Sequence, residues 1–158
     1  FDMVKKIRLD IKPFDDIRII GINTAMPDYQ LASSLNRNLN FSFVRLKNIS
    51  IDEYLYSFYF YDKGENLNAF NLVSLSSSEG HTCVTFKPKT DYLLIIRNEI
   101  SDNDFNNILN KIKSIQNVFH AYEIDINLNK KIDVILEDIE LHEIEILKEQ
   151  DEQNSRWN

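Results

Sequence analysis

Residues 91 to 125, DYLLIIRNEISDNDFNNILNKIKSIQNVFHAYEID, accommodate one order of elements: strand, helix, strand. The stretch from Asp91 to Arg97 is apolar from Tyr92 to Ile96, as a strand buried on both faces must be. Ser101 is placed to cap a helix, because its hydroxyl can accept an N–H of the first turn that has no intrahelical partner, and Asp104 completes a shortened capping box. Phe105, Ile108, Leu109, Ile112 and Ile115 then mark one buried helical face. The pattern returns to a strand at Val118 to Asp125.

An earlier segment repeats this order. In Asp16 to Asn23, Ile17 and Ile19 oppose Ile20 and Ile22, which predicts an interior strand. Pro27 suits a first helical position, and Leu31, Leu35 and Leu39 follow at spacings of four. Phe41, Phe43, Val44 and Leu46 make the next strand. Between the two β-α-β units, short apolar alternations broken by Lys63-Gly64 and Glu79-Gly80 predict a meander of three antiparallel strands. The expected fold is therefore α+β: two β-α-β units flanking the meander, with helices on one face of a mixed sheet, and an acidic C-terminal helix.

That helix is expected over residues 132–150. Ile132, Ile135, Leu136, Ile139, Ile146 and Leu147 form one stripe, whereas Val134, Leu141 and Ile144 gather on the opposite side. Residues 1–131 are read as one α+β domain and 132–158 as an acidic C-terminal helix and tail. Charge divides at the same place. Residues 1–132 carry equal numbers of basic and acidic groups, so the formal charge of −7 comes from the last 26 residues, with 2 basic and 9 acidic side chains. Such a tail opposes approach to nucleic acid or an anionic bilayer, which need a Lys/Arg surface.

No apolar run has the length of a membrane span, and no signal-peptide pattern is visible. The single Cys83 excludes an intramolecular disulfide framework and fits a reducing compartment, so a cytoplasmic location is expected.

The residues DYLLIIRNEIS, the helix and VFHAYEID after them, IGIN, the Asp28-Tyr29 pair and LASSLN from Leu31 together resemble the IPExxxVDY family of small bacterial proteins, over residues 7 to 127. Asp91 and Tyr92 match the last pair of the naming motif. Thr90 stands in place of its Val, and Val84, Thr85 and Phe86 in place of its Ile, Pro and Glu, so no role resting on that Pro-Glu carries over. The resemblance implies a small cytosolic α+β protein without an assigned activity or cofactor. The residues themselves suggest that Asp91, an acid opening an apolar strand, accepts backbone N–H groups.

No catalytic constellation is visible. His81, His120 and His142 lack metal-ligand spacing, and although His81 and Cys83 share a strand face, two ligands fall short of a site. Ser76, Ser77 and Ser78 precede a turn with no nucleophile elbow, and three glycines leave no phosphate-cradling loop.

The unusual segment is YLYSFYFY, residues 54–61, where Tyr54 and Tyr56 face one way and Tyr59 and Tyr61 the other. Aromatic residues fit pleated sheets, so packing accounts for them first. Tyrosines are also favoured at binding surfaces. The expected function is a non-enzymatic protein-interaction module or homo-oligomer, engaging a protein partner or itself through Tyr54, Tyr56, Tyr59 and Tyr61 or through Val134, Leu141 and Ile144. The alternative is a small-ligand-binding regulatory domain of ferredoxin-like type. No metal, cofactor, nucleic acid or membrane is expected in either.

Overall fold

The structure, a computed structural model, describes residues 16–157. Its strands are β1 (Arg18–Thr24), β2 (Val44–Ile51), β3 (Tyr54–Asp62), β4 (Ala69–Ser74), β5 (Tyr92–Arg97) and β6 (Val118–Ile124). The helices are α1 (Asp28–Leu39) after β1, α2 (Asp102–Lys113) after β5, and α3 (Lys131–Trp157) after a short 3-10 turn at Ile126–Leu128. The class is α+β, as expected.

The strands form one open sheet in the order β2-β3-β4-β5-β1-β6, and every neighbouring pair is antiparallel. The expected mixed sheet is thereby corrected. Each predicted strand-helix-strand unit exists, but its two strands never pair. β1 inserts between β5 and β6, while β3, β4 and β5 separate β1 from β2. Periodicity reports that a strand is buried, not which strand lies beside it, so a parallel pairing could not be told from an interleaved one.

The sheet is covered on both faces, which corrects the one-sided arrangement. On one face α1 and α2 bring Leu31, Leu35, Phe105 and Ile112 against Ile20, Ile22, Phe70, Leu94 and Ile96. On the other, α3 brings Ile132, Ile135 and Ile139 against Ile19, Ile49, Phe58, Leu93 and Ile95. Every residue of β4 and β5 is buried, which is why these strands read as continuous apolar runs. Helix α3 therefore completes the second core.

Local signals account for the joints. Ser101 Oγ accepts the Asp104 N–H at 3.1 Å, and Asp102 and Asp104 open α2 while Lys111 and Lys113 close it, complementing its dipole. Arg18 on β1 pairs with Asp102 at 2.8 Å and Glu123 at 2.9 Å and lies over the Phe105 ring, tying α2 to the β1–β6 end of the sheet. Gly21 is required where β1 runs between its neighbours. A Cβ there would stand 3.0 Å from both Tyr122 Cε1 and Ile124 Cδ1.

The predicted third meander strand is absent. After β4 the chain forms a single bridge, Ser76 to Thr82, and then crosses the α3 face as a loop whose Cys83, Val84 and Phe86 pack on that core. The alternation read as a strand here reflects side chains of a loop lying on an apolar layer.

Candidate functional site

The tyrosine-rich strand does not form a surface. Tyr56 is 1% exposed and Tyr59 5%, on opposite faces of β3 beneath the two helical layers, which corrects their nomination as interface residues. Tyr61 packs among Phe41, Phe43 and Phe70, and Tyr54 stacks on His81 with ring centroids 3.9 Å apart. Both are half-buried. A sheet covered on both faces consumes both sides of an aromatic strand.

The two buried phenols differ in their partners. Tyr59 donates to Asp28 Oδ2 at 2.8 Å, and Arg45 reaches the same oxygen at 2.6 Å. Tyr56 Oη meets no nitrogen or oxygen partner and lies against the Cys83 thiol, and burial pushes its phenol up to about 12.

Asp91 Oδ2 accepts the Thr24 N–H at 3.0 Å and the Asn23 amide at 2.7 Å, so this carboxylate pins the end of β1. Tyr92 donates to the Met26 carbonyl at 2.7 Å, with its phenol pushed up by burial. Asp91 and Tyr92 thus organise the turn entering α1. His142 is buried, with Nε2 2.7 Å from the Lys47 carbonyl and its ring edge-on to Phe58.

On α3 the structure separates the two predicted stripes. Val134 is 57% and Leu141 59% exposed, two turns apart on the outer side, while Ile144 is half-buried. Asp133, Glu137, Glu140 and Glu145 are exposed around them.

Beside Val134 lies a cleft of about 490 Å³ that the sequence did not suggest. The β2–β3 turn supplies Ile51 and Asp52, the loop supplies Thr82 to Thr85, and the start of α3 supplies Lys131, Val134, Ile135 and Asp138. Asp52 and Glu53 both have positive φ, the geometry of a tight two-residue hairpin that presents Asp52 at its tip. Lys131 Nζ donates to the Thr85 carbonyl at 3.1 Å, holding the loop to α3.

The electrostatics of this cleft follow from burial and like charge. Burial, then Asp52, then Glu137 raise the Asp138 carboxyl above its ordinary value. Burial pushes the Cys83 thiol up to about 11, so it sits there in its protonated, weakly nucleophilic form. The cleft presents apolar walls, two carboxylates, two threonine hydroxyls, the Cys83 thiol and the Lys131 ammonium.

No family model matches this chain, nor does any curated protein or solved structure. Among the described residues, no three His, Cys, Asp or Glu side chains are grouped to hold a metal ion, and no helix is long and apolar enough to cross a membrane.

Proposed function

We propose that this chain is a non-enzymatic, cytoplasmic protein-interaction module, and that its docking face is the outer side of α3. The observation that carries the reading is the exposure of Val134 and Leu141, 57% and 59%, on a helix whose other apolar stripe is buried in the sheet. Apolar side chains two turns apart form the seam on which a second helix packs, with Ile144 continuing it on the same side.

Charge selects the occupant. The seam is flanked by Asp133, Glu137, Glu140 and Glu145, and residues 133–158 hold 9 acidic against 2 basic groups. A second copy would bring like charge to the same surface, whereas a basic amphipathic segment of another protein complements it. The resemblance to the IPExxxVDY family is compatible with this role and assigns no activity against it. The alternative, a small-ligand-binding domain, rests on the cleft beside Val134.

The test is fluorescence anisotropy with a labelled helical peptide of leucine–lysine heptads, titrated with the full chain. Binding that weakens with salt and is lost in the Val134→Ser, Leu141→Ser double variant supports the docking face. Equal binding by that variant, or by a leucine–glutamate peptide, overturns it.

A further inference from the structure

We propose that the cleft at the start of α3 receives a lysine or arginine side chain of the docking segment, with its aliphatic stem against the apolar walls and its cationic end between Asp52 and Asp138. The inference rests on reading the outer side of α3 as the docking face, and it identifies what that face recognises.

The walls suit such a side chain in two parts. Ile51, Val84, Val134 and Ile135 line the cleft with hydrocarbon, as the stem of lysine or arginine requires. Asp52 and Asp138 supply the charge, and neither has an ion-pair or hydrogen-bond partner among the described residues, unlike Asp28 and Glu143. The cleft's own cation, Lys131, directs its ammonium to the Thr85 carbonyl. Two unpaired carboxylates repelling each other at an apolar cleft are a cost that an incoming cation removes, and part of the affinity comes from that relief.

Continuity decides the source of the cation. Val134 belongs both to the cleft wall and to the exposed seam, so a helix lying on α3 passes over the mouth of the cleft and can place a basic side chain into it.

The experiment is an amide NMR titration of the full chain with N-acetyl-lysine methylamide, and with N-acetyl-norleucine methylamide as the uncharged control. The lysine probe is expected to shift Val84, Thr85, Ile135 and Asp138, the norleucine probe to do so far more weakly. Asp138→Asn and Asp52→Asn, each checked for an unchanged spectrum elsewhere, should weaken the lysine probe, the half-buried Asp138 by about tenfold. Adding the leucine–lysine peptide should displace the probe. No shifts at the cleft while the peptide still binds through Val134 and Leu141 overturns the cleft and leaves the docking face standing. Probe binding without peptide binding defeats the docking face, and with it the peptide as source.

Discussion

Arg97 Nη1 and Glu143 Oε2 meet at 2.6 Å with neither side chain exposed to solvent. Asn71 joins them, its Oδ1 accepting from Arg97 at 3.1 Å and its Nδ2 donating to Glu143 at 3.4 Å. The pair links central strands β4 and β5 to α3 one turn beyond Ile139, where the helix's main apolar contacts with the sheet end. Burial raises the Glu143 carboxyl while Arg97, opposing it, favours the ionised form. The desolvation of two such buried charges offsets much of their attraction, so the pair adds less stability than its geometry suggests.

The first prediction concerns that pair. Arg97→Met strands the Glu143 carboxylate in the core and should cost about 3–5 kcal/mol, and Glu143→Leu, which removes one acceptor from Arg97, should also destabilise. The double variant replaces the pair with hydrocarbon and should be considerably more stable than either single variant. Urea unfolding of the four proteins closes the cycle, and additive single losses would show that the two groups act independently.

The Asp138 carboxyl makes a pH-dependent prediction. Because its folded value is raised above the ordinary 3.8, the folded state holds its proton more tightly than the unfolded chain does. Its contribution to stability is then fully present below 3.8 and is lost as pH rises through the folded value. Asp138→Asn should therefore be more stable than the parent at neutral pH, with the gain shrinking as pH falls towards 3.8. Chemical denaturation across that range checks the sign; a variant less stable at neutral pH would mean that the carboxylate is favourably partnered.

Tyr56 and Tyr59 predict opposite outcomes for the same substitution. Tyr56→Phe removes a buried hydroxyl whose polar neighbour is only the weakly bonding Cys83 thiol, and should leave stability unchanged or raise it by about 1 kcal/mol. Tyr59→Phe removes a donor to the Asp28 carboxylate and should cost about 1.5–3 kcal/mol. Alanine at both positions would empty both cores together, so a loss of binding by that variant would report unfolding.

Why some of this was legible in the chain and some was not follows from the range of the interactions involved. The Ser101 cap, the α2 stripe and the double-faced apolar runs of β1 and β5 are local patterns, and they appear where the residues place them. Strand order, cover on both faces and the loop over Cys83 are decided by contacts distant in sequence, which periodicity does not encode. The same holds for the site. Val134 and Leu141 could be read as an extra stripe on one helix, but the cleft unites Asp52 of a hairpin, Thr85 of a loop and Asp138 of α3. The one local hint was Glu143, an acid falling on the buried stripe between Ile139 and Ile146, which marks the Arg97 partnership.

Cys83 supplies a reporter for the cleft. With its thiol pushed up to about 11, the reactive thiolate is scarce at pH 8, and alkylation by iodoacetamide should run roughly a hundredfold slower than for an unhindered cysteine. The rate should climb with pH until the thiol titrates near 11, provided the fold persists, and Tyr56→Phe should alter it because the phenol adjoins the sulfur. A seated lysine probe shields the same wall and adds a favourable positive charge nearby, so the two effects oppose each other. Shielding of the half-buried sulfur should outweigh the modest gain in thiolate, and the modification measured by mass spectrometry near pH 8 should fall further. Fast alkylation at pH 8, indifferent to the probe, would mean that Cys83 faces open solvent away from the cleft.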